Sequence, residues 1–336
     1  MRIQTLRALA LLGAAAPPSA ETPAEAFFRQ TIGLTDAQIA AVDRGDVITK
    51  QLATTEKADV AVFGAVRIPA DPDAYMKQFR DIVAFRRTPS VIEIGRFSDP
   101  PNIKDVAGLS MDEGDFAAAR QCKASDCDLK LARSAIDRMH AEIDWSAKDS
   151  KSRTTEVMRQ MLVDFVATYR KGGRAELATY NDKDKPVDAA LEFKRLLEAS
   201  PYLIDHAPEF HAYVGAYPQA SLAGVEDFFY WVKDKNAPKP TVSVFHVSMW
   251  KDPRGPVFIA SKQIYASHYI RVGLDLTALI PTREGPKGFY LADLFRSRID
   301  PPGGMIGGVV VSKIRGGIEG SIGDSLKAAR AKTLAP

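Results

Sequence analysis

The residues best suited to chemistry lie in two neighbouring stretches. Residues 241–250 carry His246, with Ser248 and Trp250 on the same face of an expected strand, and residues 260–269 (ASKQIYASHY) follow with side chains that alternate in character. Strand alternation assigns Ser261, Gln263, Tyr265, Ser267 and Tyr269 to one side and Lys262, Ile264, Ala266 and His268 to the other. A row of hydroxyls, an amide and two phenols can line a pocket of mixed polarity, and it equally fits the solvated face of an antiparallel sheet. His246 is expected beside this row. His246 or His268 could act as a general acid or base, His268 with a carboxylate such as Asp293. His206 and His211 flank Glu209, but five residues of helix set two rings about 140° apart, so no metal site is assigned. No nucleophile elbow, phosphate loop, dinucleotide glycine pattern or zinc helix occurs; no cofactor is expected.

Cys122 and Cys127 are the only cysteines. Their spacing fits neither a zinc knuckle nor a Cys-x-x-Cys redox pair, and in an oxidising compartment two thiols so close are expected to form a disulfide. Asp126 and Asp128 flank Cys127 and disfavour a thiolate, which counts against a nucleophile. The N-terminus addresses such a compartment. Arg2 and Arg7, an apolar run over residues 6–16 and the Pro17-Pro18 stop read as a signal peptide, with cleavage near Ala20 and residence in the periplasm or the medium. That run is well short of the ~20 apolar residues a bilayer requires, and no later stretch reaches that length. No stable membrane span is expected in the mature chain. Lys+Arg 45 against Asp+Glu 42 gives +3, and loss of the two signal arginines lowers it to +1, too even for a nucleic-acid binder. With 336 residues, 46% hydrophobic and 26% charged, the chain has material for one large domain or two ordinary ones.

The elements that must position these groups follow from periodicity and punctuation. Residues 24–44 fit one or two short helices, with Thr35 or Asp36 as a cap, and residues 47–53 and 59–68 fit strands. Asp71-Pro72 starts a helix that sets Tyr75, Phe79, Ile82 and Val83 on one face. Residues 90–97 return as a strand, and Pro100-Pro101 opens an irregular stretch holding the cysteine loop. From residue 134 to about 235 the period is helical, and Phe228, Phe229, Tyr230 and Trp231 read as helix packing. Four strands follow, over residues 241–250, 257–270, 274–280 and 289–299. Residues 303–334 form a helix with Ile306, Val310, Ile314, Ile318, Ile322 and Leu326 at four-residue steps, in which Gly316 and Gly320 would permit close approach to a neighbour. Arg296, Arg298 and Asp300 close the last strand as a salt-bridge cluster in preference to an anion clamp.

Residues 60–68, 72–85 and 90–97, together with the four late strands and the closing helix, resemble in pattern the START-like, polyketide-cyclase-like (helix-grip) superfamily. Residues 120–128, 158–162 and 260–269 also resemble a family of exported bacterial proteins. The first resemblance implies an α+β fold in which an antiparallel sheet wraps around a long C-terminal helix. Residues 21–133 and 240–336 would form that domain, and residues 134–239 a large, mainly helical insertion. It also implies a cavity between sheet and helix that binds or carries a hydrophobic small molecule or lipid, lined by Tyr265, Ser267, Tyr269, His246 and Ile314. Two alternatives stay open. One is an exported cyclase- or hydrolase-like enzyme using His246 or His268; the other is a cell-envelope assembly factor whose insertion meets a protein partner.

Overall fold

A computed structural model describes residues 21–56, 58–282, 287–300 and 307–335, with side chains in the last segment from residue 311 onward. The expected signal peptide, residues 1–20, lies outside the described residues, as do residues 303–306 of the expected C-terminal helix. Eight strands form one antiparallel sheet: β1 (Ile48–Gln51), β2 (Asp59–Ile68), β3 (Val91–Arg96), β4 (Glu226–Asp234), β5 (Thr241–Lys251), β6 (Val257–Ala266), β7 (Ile270–Pro281) and β8 (Phe289–Ile299). Their order is β1-β2-β8-β7-β6-β5-β4-β3. Because β2 pairs with β8, the early and late segments of the chain belong to one sheet, and a helix over Gly307–Leu334 packs against it. The fold is α+β, as the sequence pattern implied.

The two faces of the sheet bury separate cores, and β2 shows why its sequence is apolar at nearly every position. Val60, Val62, Val66 and Ile68 point to an inner core, and Ala61, Phe63 and Ala65 alternate with them; Phe63 and Ala65 enter an outer core. The inner core is completed by the C-terminal helix and by two short helices, Pro72–Arg80 and Ile82–Arg86. Asp71 caps the first of these, accepting from the Asp73 amide at 2.8 Å, and Pro72 occupies its first turn. Tyr75, Phe79 and Phe85 then form a ring cluster that reaches Phe228 and Phe289 on the sheet. The outer core packs beneath Asp36–Asp43, Ser150–Gly172, Ala189–Glu198 and Pro208–Ala216.

The close approach expected at Gly316 and Gly320 occurs instead at Gly64. Among the described residues, nothing outside the helix's own backbone lies within 4 Å of where a Cβ would stand on Gly316 or Gly320, whereas one on Gly64 would meet Leu326 Cδ1 at 2.6 Å and Ile322 Cγ2 at 2.8 Å. The helix therefore rests directly on the β2 backbone through Ile322 and Leu326. Gly64→Val is expected to force the helix away and lower stability by about 1–3 kcal/mol, read from urea unfolding with the change confined to the midpoint.

Three boundaries differ from expectation. The aromatic block from Phe228 to Trp231 is not helical but lies in β4, so the helical insertion ends before residue 226. Both faces of β4 are covered, Phe228 and Tyr230 by the inner core and Phe229 and Trp231 by the outer one, which erases the alternation that marks a half-buried strand. The stretch after Pro101 is ordered by an Asp112-capped helix, Glu113–Gln121, leading into the Cys122–Cys127 disulfide. The strand expected over residues 257–270 stops at Ala266, because the chain turns through Tyr269 in a left-handed conformation (φ 56°).

At the end of β8, Arg298 lies among Glu56, Asp59 (3.4 Å) and Glu192 (2.5 Å), and Arg271 and Lys130 share Asp300 at 2.7 and 2.6 Å. The basic residues closing the strand are thus neutralised within the protein, as a structural cluster.

Candidate functional site

Two strands bring acidic side chains onto the inner face. In the β7–β8 register Thr277 faces Asp293 and Asp275 faces Phe295, so the two carboxyls are diagonal neighbours. Thr277 Oγ1 donates to Asp293 Oδ1 at 2.9 Å, and Arg86 Nη2 stands 3.7 Å from Asp275 Oδ2. Burial pushes the Asp293 carboxyl well above its usual range, and the charge of Asp275 and a hydrogen bond to it push the same way. Asp293 is thereby held toward its protonated form, and Asp275 Oδ2 faces the Arg86 guanidinium. These groups lie deep, yet 33% of the Arg86 side chain and 17% of Asp275 stay open to water. Phe245 and Phe295 from the sheet and Ile314 and Ile318 from the C-terminal helix are likewise only half-buried against the inner core. We take the partly accessible strip between sheet and helix, bordered by these side chains with the carboxyl pair, Thr277 and Arg86, as a candidate groove.

The outer face carries a different cluster. His246 on β5 and Lys262 on β6 are register partners, and both are buried. His246 Nε2 lies 2.8 Å from Asp227 Oδ1, to which Ser248 Oγ also donates at 2.6 Å, and Tyr213 donates its hydroxyl to Oδ2 of the same carboxylate. Burial pushes Asp227 up, but the hydrogen bonds from His246, Ser248 and Tyr213 outweigh it and hold the carboxyl below its usual value. Burial, with the nearby Lys262 charge, lowers His246 to about 3. The neutral ring donates from Nε2 and accepts the Tyr169 hydroxyl at Nδ1, 3.4 Å away. Lys262 has no carboxylate at salt-bridge distance among the described residues. Its ammonium sits 4.8 Å from the Tyr217 ring centre and 3.4 Å from the Val214 carbonyl, and burial lowers it to about 7.

Tyr265 is displaced from its expected side by a β-bulge. Val244 pairs with Tyr265 but Phe245 with Gln263, leaving Ile264 as the extra residue. Ser261 and Gln263 keep their expected face, whereas Tyr265 joins Lys262 on the outer one. There Tyr265 and Ser267 line a cleft with Leu109, Met111, Leu129 and Met158, of about 390 Å³ including its open mouth; its closed part has room for about one water. His268 is held by the Asp128 carbonyl at Nδ1 and by Asp115 Oδ1 at Nε2, both at 2.9 Å. A carbonyl only accepts, so Nδ1 carries a proton, and Nε2 and Asp115 share another. The partner of His268 is therefore Asp115, and Asp293 is on the inner face. Tyr269 lies in the turn, half-buried.

The five residues expected to line one cavity are thus divided. Ile314 borders the inner groove; Tyr265 and Ser267 border the outer cleft; His246 is enclosed in its own cluster; and Tyr269 is beside none of these. The disulfide closes the loop over residues 122–127; directly after it the Asp128 carbonyl meets His268, Leu129 lines the cleft, and the Lys130 amide donates to the Ser267 carbonyl at 2.8 Å. Replacing both cysteines by serine should cost about 2 kcal/mol, the chain-entropy value for so short a loop, and speed hydrogen exchange at the Lys130 amide.

The chain is similar to a STAR-related lipid transfer protein from Xanthomonas axonopodis. The likeness to that crystal structure has a TM-score of 0.38 and 11% identity, covering 86% of this chain and 94% of the other. No family model matches the sequence, and no curated protein matches it. No helix among the described residues is long and apolar enough to cross a membrane.

Sequence reasoning missed Asp275, and it named Asp293 only as a partner for His268. The signal was present: each acid stands between two apolar neighbours in a strand, Leu274-Asp275-Leu276 and Ala292-Asp293-Leu294, where alternation turns both acids to the same face. Asp227 and Lys262 gave no comparable signal, because their importance comes from contacts between distant segments.

Proposed function

We propose that the protein binds or carries a hydrophobic small molecule or lipid in the inner groove, with the polar end of the ligand at the Asp275–Asp293 pair. The observation that carries this reading is a partly accessible pair of neighbouring carboxyls beside the Thr277 hydroxyl and the Arg86 guanidinium, set among half-buried aromatic and aliphatic side chains. The guanidinium offers a donor and the carboxyl oxygens offer acceptors, which together match a hydroxyl group. Ile314 and Ile318 supply apolar contact from the helix. The similarity to a lipid transfer protein names one such ligand class, although the argument rests on the groove.

The histidines favour a binder over an enzyme. Both nitrogens of His246 and both of His268 are already engaged by protein groups, leaving neither ring a free position for substrate. The disulfide and the N-terminal sequence support export to the periplasm or medium with cleavage near Ala20.

Thermal shift with oleyl alcohol as probe tests the proposal. Binding to the folded state raises Tm by mass action, and Ile318→Trp, which fills the groove, should abolish the rise while leaving the ligand-free protein folded. A flat response of the wild-type protein to oleyl alcohol and to dioleoylglycerol would remove the proposal's support.

A further inference from the structure

The outer cleft holds a polar group with nothing to do. Tyr265 is 8% exposed, and its buried hydroxyl has no hydrogen-bond partner among the described residues. A buried donor left unmade costs about 1–3 kcal/mol, and the residue that carries this one lines the cleft. The bulge at Ile264 turns it there: without the extra residue Tyr265 would sit on the inner face. Around it the walls are Leu109, Met111, Leu129, Met158 and Leu162. Two of these are unbranched thioethers, which re-pack readily to admit a guest. The remaining charged group of the lining, Asp115, is already committed to His268.

We propose that this cleft is a second binding site, on the opposite side of the sheet from the inner groove, for a small neutral apolar molecule bearing one hydrogen-bond acceptor such as a ketone carbonyl. Tyr265 donates to that acceptor, and Met111 and Met158 move aside to enlarge the enclosed space. An anionic ligand is disfavoured by the Asp115 carboxylate.

Acetophenone is the probe, with ethylbenzene as its counterpart lacking the acceptor, and saturation-transfer NMR titration as the readout. Tyr265→Phe removes the hydroxyl and keeps the ring. It should weaken acetophenone roughly five- to tenfold, as loss of one hydrogen bond does, and leave ethylbenzene unchanged. Because the hydroxyl is orphaned in the free protein, the same variant should have an equal or higher Tm without ligand. Ile318→Trp, on the other side of the sheet, should not alter acetophenone binding, so failure of the inner groove and failure of this cleft are told apart. Equal acetophenone affinity in Tyr265→Phe, absence of saturable binding, or a lowered Tm of the ligand-free variant would each overturn the proposal.

Discussion

Replacing Lys262 by methionine is expected to stabilise the protein by several kcal/mol at pH 7 and to flatten its stability profile on the alkaline side. The unfolded chain keeps the ammonium protonated up to about pH 10.4, whereas burial in the folded state releases the proton near 7. Between those values the unfolded state binds more protons, so wild-type stability rises with pH, by at most about 1.4 kcal/mol per pH unit. Below pH 7 both states are protonated and the cost of burying the charge is present in full. His246 adds a loss of the same sign in acid, since its folded value of about 3 lies below that of a free imidazole. Methionine keeps the apolar stem against Tyr217 and Tyr169 and removes the charge. Urea unfolding of both proteins at several pH values between 6 and 10 checks this; parallel profiles would show that Lys262 reaches water in the folded state.

Arg298→Ala should be the most damaging single change outside the aliphatic core. The guanidinium is 4% exposed and lies among Glu56, Asp59 and Glu192, of which Asp59 and Glu192 are buried at 4% and 9%. Removing one partner of a buried ionic group leaves the others uncompensated and typically costs about 3–5 kcal/mol. The contrast is Arg133→Ala, whose Asp137 partner is 60% exposed; there a loss below about 1 kcal/mol is expected. Equal effects of the two substitutions in chemical denaturation would mean that the β8 cluster is solvated.

How far the fold could be read from the sequence depended on whether an element shows water one face. The helix at Pro72 carries its own start signal and an apolar stripe, and it starts where expected but breaks at Asp81, which caps a second short helix over Ile82–Arg86. β4 carries no such contrast, since helices cover both its sides, and its four consecutive aromatics fit either period. The bulge at Ile264 has no mark in the sequence, yet it moves Tyr265 through the sheet and divides the expected pocket. Gly64 shows the same limit from another direction: its role is set by Ile322 and Leu326, more than 250 residues away along the chain. Short-range chemistry was easier to read. Cys122 and Cys127 are close enough for spacing alone to indicate the bond, and Arg296, Arg298 and Asp300 announced a charged end to β8 without naming Glu56, Asp59 or Glu192 as partners.

Native mass spectrometry of the protein isolated from its own source, beside the Ile318→Trp variant prepared identically, tests the central claim most directly. The groove reading predicts that the wild-type protein carries an added mass that is released into organic solvent as one apolar, hydroxyl-bearing compound, and that the variant is folded and lacks it. A wild-type protein with only its polypeptide mass, together with no retention of added dioleoylglycerol, would contradict the reading.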